Sequence, residues 1–179
     1  MTEQEAIERL KARDISGLEE LVRRYYTQAA QSAFLIVDDR SIAEDVAQSA
    51  FLNAYEHIGS FDSSRPFGPW FLRSVINSAI KTASGKRDIW FDAQANTEMA
   101  DPGAGAVETL EAAETRGEVL AALQKLSPAQ RAAVIMKYYL DVSDVEAARL
   151  LEVPAGTVRR RLHDARKRLR KLLPLDDLK

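Results

Sequence analysis

At five points along this 179-residue chain a serine or threonine followed three residues later by glutamate or glutamine opens onto a helical apolar pattern: Thr2/Glu5, Ser16/Glu19, Ser41/Glu44, Ser127/Gln130 and Ser143/Glu146. Such a pair satisfies two of the backbone donors that a helix leaves unbonded at its start. Pro128 strengthens the fourth, because the first helical position has no partner for an N–H in any case. Behind Ser16, Leu18, Leu21, Val22, Tyr25, Ala29, Ala33 and Ile36 recur at the spacing of one buried stripe. Behind Ser41, Val46, Ala47, Ala50, Phe51, Ala54, Tyr55 and Ile58 do the same until Gly59. A further helix is expected near Pro69, with Trp70 and Phe71 read as core. No run alternates strictly enough to make a strand. The expected fold is all-α.

Charge divides the chain. The net charge of −2 is the sum of −3 over residues 1–85, −5 over 86–114 and +6 over 115–179. The middle stretch is rich in Gly, Ala, Asp and Glu, and it reads as a linker. Ile89-Trp90-Phe91 forms an apolar island within it. The expected architecture is two small helical domains, residues 1–84 and 114–179, joined by an acidic linker over 85–113. There is no cysteine, which excludes disulfides, thiolate zinc sites and cysteine nucleophiles. No apolar run approaches the roughly 18 residues of a membrane span, and the acidic N-terminus is unlike a secretory signal. A cytoplasmic protein without membrane insertion is expected.

The C-terminal third carries the clearest chemistry. The expected helices are Ser127 to Tyr139, with Val134, Ile135 and Tyr138 inward, then Ser143 to Leu151, then Ala155 to Leu173. The last two, joined through Glu152-Val153-Pro154 and crossing at Ala147 or Ala148, form a helix-turn-helix. Val158, Leu162, Ala165, Leu169 and Leu172 hold the inward stripe of the last helix. Its other face has eight Lys/Arg between Arg159 and Lys171, opposed only by Asp164. A merely solvated face would mix signs, whereas this one suits the phosphates of duplex DNA.

The runs Ala122–Arg131 and Val153–Arg166 resemble the fourth conserved region of extracytoplasmic-function sigma factors, small sigma subunits of bacterial RNA polymerase. Independently, Ala43–Phe51, then Phe61-Asp62, Arg65-Pro66-Phe67, Pro69–Leu72 and Asn77 are similar to the family's second region, in the same order. The resemblance implies that Asp45, Gln48 and Phe51 bind the clamp helices of the largest catalytic subunit of core RNA polymerase. It implies promoter DNA as a second partner. The loop from Ser60 to Gly68, with Ser63, Ser64 and Arg65, is expected to take up a flipped base of the −10 element, and Arg73, Asn77 and Lys81 to track the single strand. Arg159, Arg160, His163 and Asp164 are expected to face bases of the −35 duplex, with Arg166 and Lys167 on phosphates. An anti-sigma factor is the implied regulator. No catalytic residue, metal or cofactor is implied.

Three positions depart from the family pattern. Lys81 stands where an acid is common, Glu152 where the turn has glycine, and Asp164 where a basic residue is common. Two other classes compete with this reading. One is a DNA-binding regulator that works without polymerase, for which the Asp45/Gln48/Phe51 helix would have no use. The other is a hydrolase using Asp38, Asp39 and Asp45, which have no histidine or phosphate loop nearby.

Overall fold

Thr2 starts the first helix as its sequence implies, its hydroxyl accepting from the Glu5 amide at 3.1 Å while the Glu5 carboxylate accepts from the Thr2 amide at 2.8 Å. The computed structural model describes residues 1–89 and 110–173. Its N-terminal helices are α1 (Glu3–Lys11), α2 (Ile15–Val37), α3 (Arg40–His57) and α4 (Phe67–Ile89), with a 3-10 turn at Ile58–Ser60. The C-terminal ones are α5 (Leu110–Gln124), α6 (Pro128–Val134), which runs into a π turn at Ile135–Tyr139, α7 (Asp144–Leu150) and α8 (Ala155–Leu172). The fold is all-α, with no strand among the described residues. No described helix is long and apolar enough to cross a membrane.

Two helix starts differ from expectation. Asp14 caps α2, its carboxylate accepting from the Ser16 amide at 3.0 Å, and Asp39 caps α3 through the Ile42 amide at 3.0 Å. In each case the chain leaves the preceding helix through a left-handed residue, Arg13 at φ 64° and Asp38 at φ 56°. The next residue is then already the cap, and Ser16 and Ser41 fall inside the helices. Asp38 and Asp39 thus terminate one helix and begin the next, which gives both acids a structural use.

In the N-terminal unit α2 is the central helix, packed against α1, α3 and α4. Its first turn meets α1 through Gly17, where a Cβ would lie 2.3 Å from the Ala6 carbonyl oxygen and 2.7 Å from the Leu10 amide nitrogen. In the C-terminal unit α8 packs on α6 and α7, with Ala147 and Ala148 buried as the close crossing requires. Two inward expectations fail there. The π turn holds an extra residue, which rotates whatever follows; Ile135 and Met136 stay buried while Tyr138 is 62% exposed. Leu172, in the last turn of α8, is also exposed.

The two units are in contact. α2 and α4 pack against α6, and α4 also meets α7, so that one apolar core continues from Ile36 and Phe71 to Ile135 and Val158. Leu35 of α2 and Val134 of α6 lie on this seam, beside Leu123 and Leu126. α4 extends to Ile89 and α5 starts at Leu110, so helices occupy both ends of the span expected as linker. Trp90 and Phe91 of the apolar island, the rest of the linker and the Asp176-Asp177 tail lie outside the described residues.

Because the atoms facing Gly17 are backbone, Gly17→Ala is expected to destabilise the protein by roughly 1–3 kcal/mol in urea unfolding. Gly85→Ala, with nothing within 4 Å of the new Cβ, is expected to leave stability unchanged or raise it by up to about 1 kcal/mol.

Candidate nucleic-acid interface

α8 presents its basic face to solvent because its other face is fully used. Val158, Leu162 and Ala165 are buried against α6 and α7, and the helix repeat turns the intervening side chains outward. Arg159, Arg160, His163, Asp164, Arg166 and Lys167 are all exposed. His163, Arg166, Lys167 and Arg170 line one shallow groove, and Asp164, Lys167, Arg168 and Lys171 another. The turn before α8 takes a left-handed residue at Glu152, φ 53°, where the sequence reading did not require one.

The loop before α4 is anchored at both ends by buried rings, Phe61 and Phe67, whose centroids lie 5.6 Å apart. Between them Asp62 organises the chain. Its carboxylate accepts from the Ser64 amide at 3.0 Å and the Ser64 hydroxyl at 2.7 Å, and it pairs with Arg65 at 3.3 Å. Ser63 is held from outside the loop by the Lys11 ammonium at 2.6 Å. All three polar residues expected in the loop are therefore engaged, and Asp62 and Lys11 are the supports. Lys11 was not legible as such, since it comes from α1, 52 positions away. Gly68 closes the loop against Tyr25, whose ring would be 3.1 Å from a Cβ there.

α4 carries Arg73 and Asn77 on the face towards the C-terminal unit. Arg73 forms an ion pair with Glu152, and the Asn77 amide donates to the Leu150 carbonyl at 3.4 Å. Lys81, one turn further, is exposed. Phe71 is core as expected. Trp70 is only partly covered and joins Asn53, Arg73, Ser74 and Asn77 around an open cleft of about 290 Å³ between α3 and α4.

On α3, Asp45 and Gln48 are exposed, and Asp45 lies in the second turn, too far along to act as a helix-start charge. Phe51 corrects the expectation for a partner contact: it is 5% exposed and packs against Phe71 in a tilted pair with ring centroids 4.4 Å apart. The exposed apolar residue is its neighbour Leu52, at 62%. Leu52 stands four positions after Gln48, on the same helical face.

A helix-turn-helix with a basic outer face, beside a helical unit bearing an ordered polar loop, defines a bipartite helical DNA-binding protein. The chain matches the family described as Sigma-70 region 2 over residues 21–88 and that described as Sigma-70, region 4 over residues 116–169. The ECF RNA polymerase sigma factor SigW of Bacillus subtilis (strain 168) is 31% identical over 177 residues, spanning 93% of this chain and 94% of that protein. The RNA polymerase sigma-H factor of Pseudomonas aeruginosa is 30% identical over 180 residues, spanning 96% and 93%. The fold is shared with CnrH solved in complex with the cytosolic domain of CnrY, at a TM-score of 0.69 and 23% identity over 98% of this chain and 99% of that one. It is shared equally with the sigma factor RpoE of Bartonella quintana solved with the anti-sigma factor NepR, at 0.69 and 21% over 88% and 97%. This chain belongs to the extracytoplasmic-function sigma factors, non-enzymatic proteins that serve promoter-specific initiation of transcription.

The Asp62 carboxyl is held below the ordinary carboxylate range, first by the Ser64 hydroxyl and then by the Ser64 amide, with Arg65 and Lys11 adding smaller attractions. A depressed folded value means that its contribution is complete above the ordinary pKa, about 3.9, and is lost as pH falls through the lower folded value. Protection of the Ser64 amide, its exchange rate taken relative to that of an unprotected amide at the same pH, is expected to be present at neutral pH and to be lost on acidification below about 4. In Asp62→Ala it is expected to be absent throughout.

Proposed function

We propose that this sigma factor binds core RNA polymerase through the outer face of α3, melts and reads the −10 element with the Asp62 loop and α4, and reads the −35 element as duplex with α8. One observation carries the reading: seven of the eight Lys/Arg between Arg159 and Lys171 of α8 are exposed to solvent, while Val158, Leu162 and Ala165 are sealed against α6 and α7. Such a face neutralises several phosphates, and residues at the N-terminal end of the helix are the ones that reach base edges in a major groove. Arg159, Arg160, His163 and Asp164 occupy those turns. Asp164 suits a cytosine amino group as acceptor.

On α3, Asp45, Gln48 and Leu52 form a compact mixed patch that fits a protein partner, the clamp helices of the largest polymerase subunit. Leu52 takes the part expected of Phe51. Melting needs no catalytic group, because capture of unstacked bases offsets the few kcal/mol lost in unpairing. An ordered polar loop lowers the entropic cost of that capture. Of the two fold neighbours, both solved with another chain bound, the sigma factor RpoE is held by the anti-sigma factor NepR, which supports an anti-sigma partner here as well. The site of action is the cytoplasm, where polymerase works.

Purified protein is expected to direct core polymerase to discrete starts, mapped by sequencing the transcripts. Leu52→Glu is expected to abolish this and to weaken core binding at least tenfold, with urea unfolding unchanged. Normal DNA binding with no polymerase-dependent start would instead identify a regulator that works alone. In duplex binding, Arg160→Ala is expected to cost about 1–3 kcal/mol and to relax preference at one base pair. Lys167→Ala is expected to weaken all sequences alike and to lower the slope of log affinity against log salt by about 1.

A further inference from the structure

Two of the three residues proposed to track the −10 strand, Arg73 and Asn77, are occupied by the protein's own helix-turn-helix, while Lys81 stays exposed. Arg73 is paired with Glu152, and Asn77 donates to the Leu150 carbonyl. The acceptors sit at the last residue of α7 and in the turn that leads from it into α8. The −35 face lies elsewhere: Arg159, Arg160 and His163 stay exposed while this contact is made. The α3 patch of Asp45, Gln48 and Leu52 is exposed too. Only one of the three proposed contact surfaces is covered.

The covering segment is also backbone-strained. Glu152 adopts φ 53°, a conformation that a residue with a Cβ takes at a cost and glycine takes freely. Strain of this kind persists where the surroundings demand the residue, and it points to a use for the side chain. Glycine here would supply the turn and no carboxylate.

We infer that Glu152 is an intramolecular latch: it pairs with Arg73 and holds the C-terminal unit over the −10 face of α4, so that the free protein can engage −35 duplex and polymerase but not single-stranded DNA until the units part. This rests on the reading of α4 as the strand-tracking helix. The seam between α2 and α6, with Leu35 against Val134, supplies apolar contact to the closed state, and the Tyr139 hydroxyl donates to Gln31 across the same interface. The latch decides the geometry on top of that adhesion. Arg73 and Glu152 are 39% and 70% exposed, so the pair biases the equilibrium modestly, by about two- to fivefold.

The full chain has no cysteine, so dyes can be placed cleanly on Thr27→Cys in α2 and Arg168→Cys in α8, both exposed. Single-molecule energy transfer then reports closure. Glu152→Gln and Arg73→Glu are each expected to lower the closed-to-open ratio, by at least about twofold, and the swap Arg73→Glu/Glu152→Arg is expected to restore it. Binding of a randomised single-stranded 12-mer DNA, read by anisotropy, is expected to tighten in Glu152→Gln by the same factor, because apparent affinity scales with the open fraction. Glu118→Gln, exposed and of equal charge change, sets the baseline for the added charge. Unchanged transfer in both single variants, or no recovery in the swap, overturns the latch. Transfer that falls and recovers while the oligonucleotide binds no better than to Glu118→Gln upholds the Arg73–Glu152 closure and overturns the assignment of α4 to the strand.

Discussion

Everything proposed for the N-terminal unit depends on one aromatic cluster. Phe51 of α3 lies on Phe71 of α4 at 4.4 Å, Phe71 stacks on Phe67 at 5.6 Å, and Phe67 meets Phe61 and Trp70. Tyr25 of α2 closes the group from below. Aromatic pairs of this kind add about 0.5–1.5 kcal/mol each beyond the area they bury. Their larger effect is geometric. With Phe51 inward, Asp45, Gln48 and Leu52 must face out. With Phe61 and Phe67 both buried, the five residues between them have little freedom to drift, and the Asp62 carboxylate together with Lys11 on Ser63 fixes their shape.

What could be read from the sequence follows from which forces are local. Capping at Thr2 and Ser127 was legible because the whole motif lies within four residues. The caps at Asp14 and Asp39 were not, because the competing serines match the same pattern and the decision lies in the left-handed residues before them. Periodicity correctly put Phe51 on the inward stripe. The resemblance then asked the same ring to bind a partner, and a ring packed against Phe71 cannot do both. Tyr138 was misplaced by a different cause, a single extra residue in the π turn, to which a 3.6-residue pattern is blind. Contacts distant in sequence were invisible throughout: Lys11 on Ser63, Arg73 on Glu152, Asn77 on Leu150.

The contact between the units has the composition of a reversible one. Its apolar part belongs to the core that continues through both units, and its polar part comprises exposed or half-exposed groups: Arg73 with Glu152, Tyr139 with Gln31. Burial raises the Tyr139 phenol above its ordinary pKa, so this hydroxyl stays a donor across the physiological range. None of these polar groups is buried as a charge without a partner, so separating the units strands no charge, and its cost is the apolar surface it exposes. An interface of this kind can open without unfolding either side.

Charge sets what opens it. Residues 1–85 sum to −3 and residues 115–179 to +6, so the units attract one another diffusely, an attraction screened over about 10 Å at 0.1 M salt. The specific pair runs the other way, a base on the acidic unit and an acid on the basic one. On the proposed reading, duplex DNA, with a negative charge every 1.7 Å or so, competes with the diffuse term by neutralising α8. On the same reading, a single strand competes with the specific term, since a phosphate oxygen offers Arg73 what the Glu152 carboxylate already gives. Exchanging one anionic oxygen for another on the same guanidinium is close to balanced in energy. A contact worth only about one to one and a half times thermal energy therefore tilts α4 towards its covered state when DNA is absent, and on the proposed reading is small enough to be displaced once polymerase holds both units and the promoter in place.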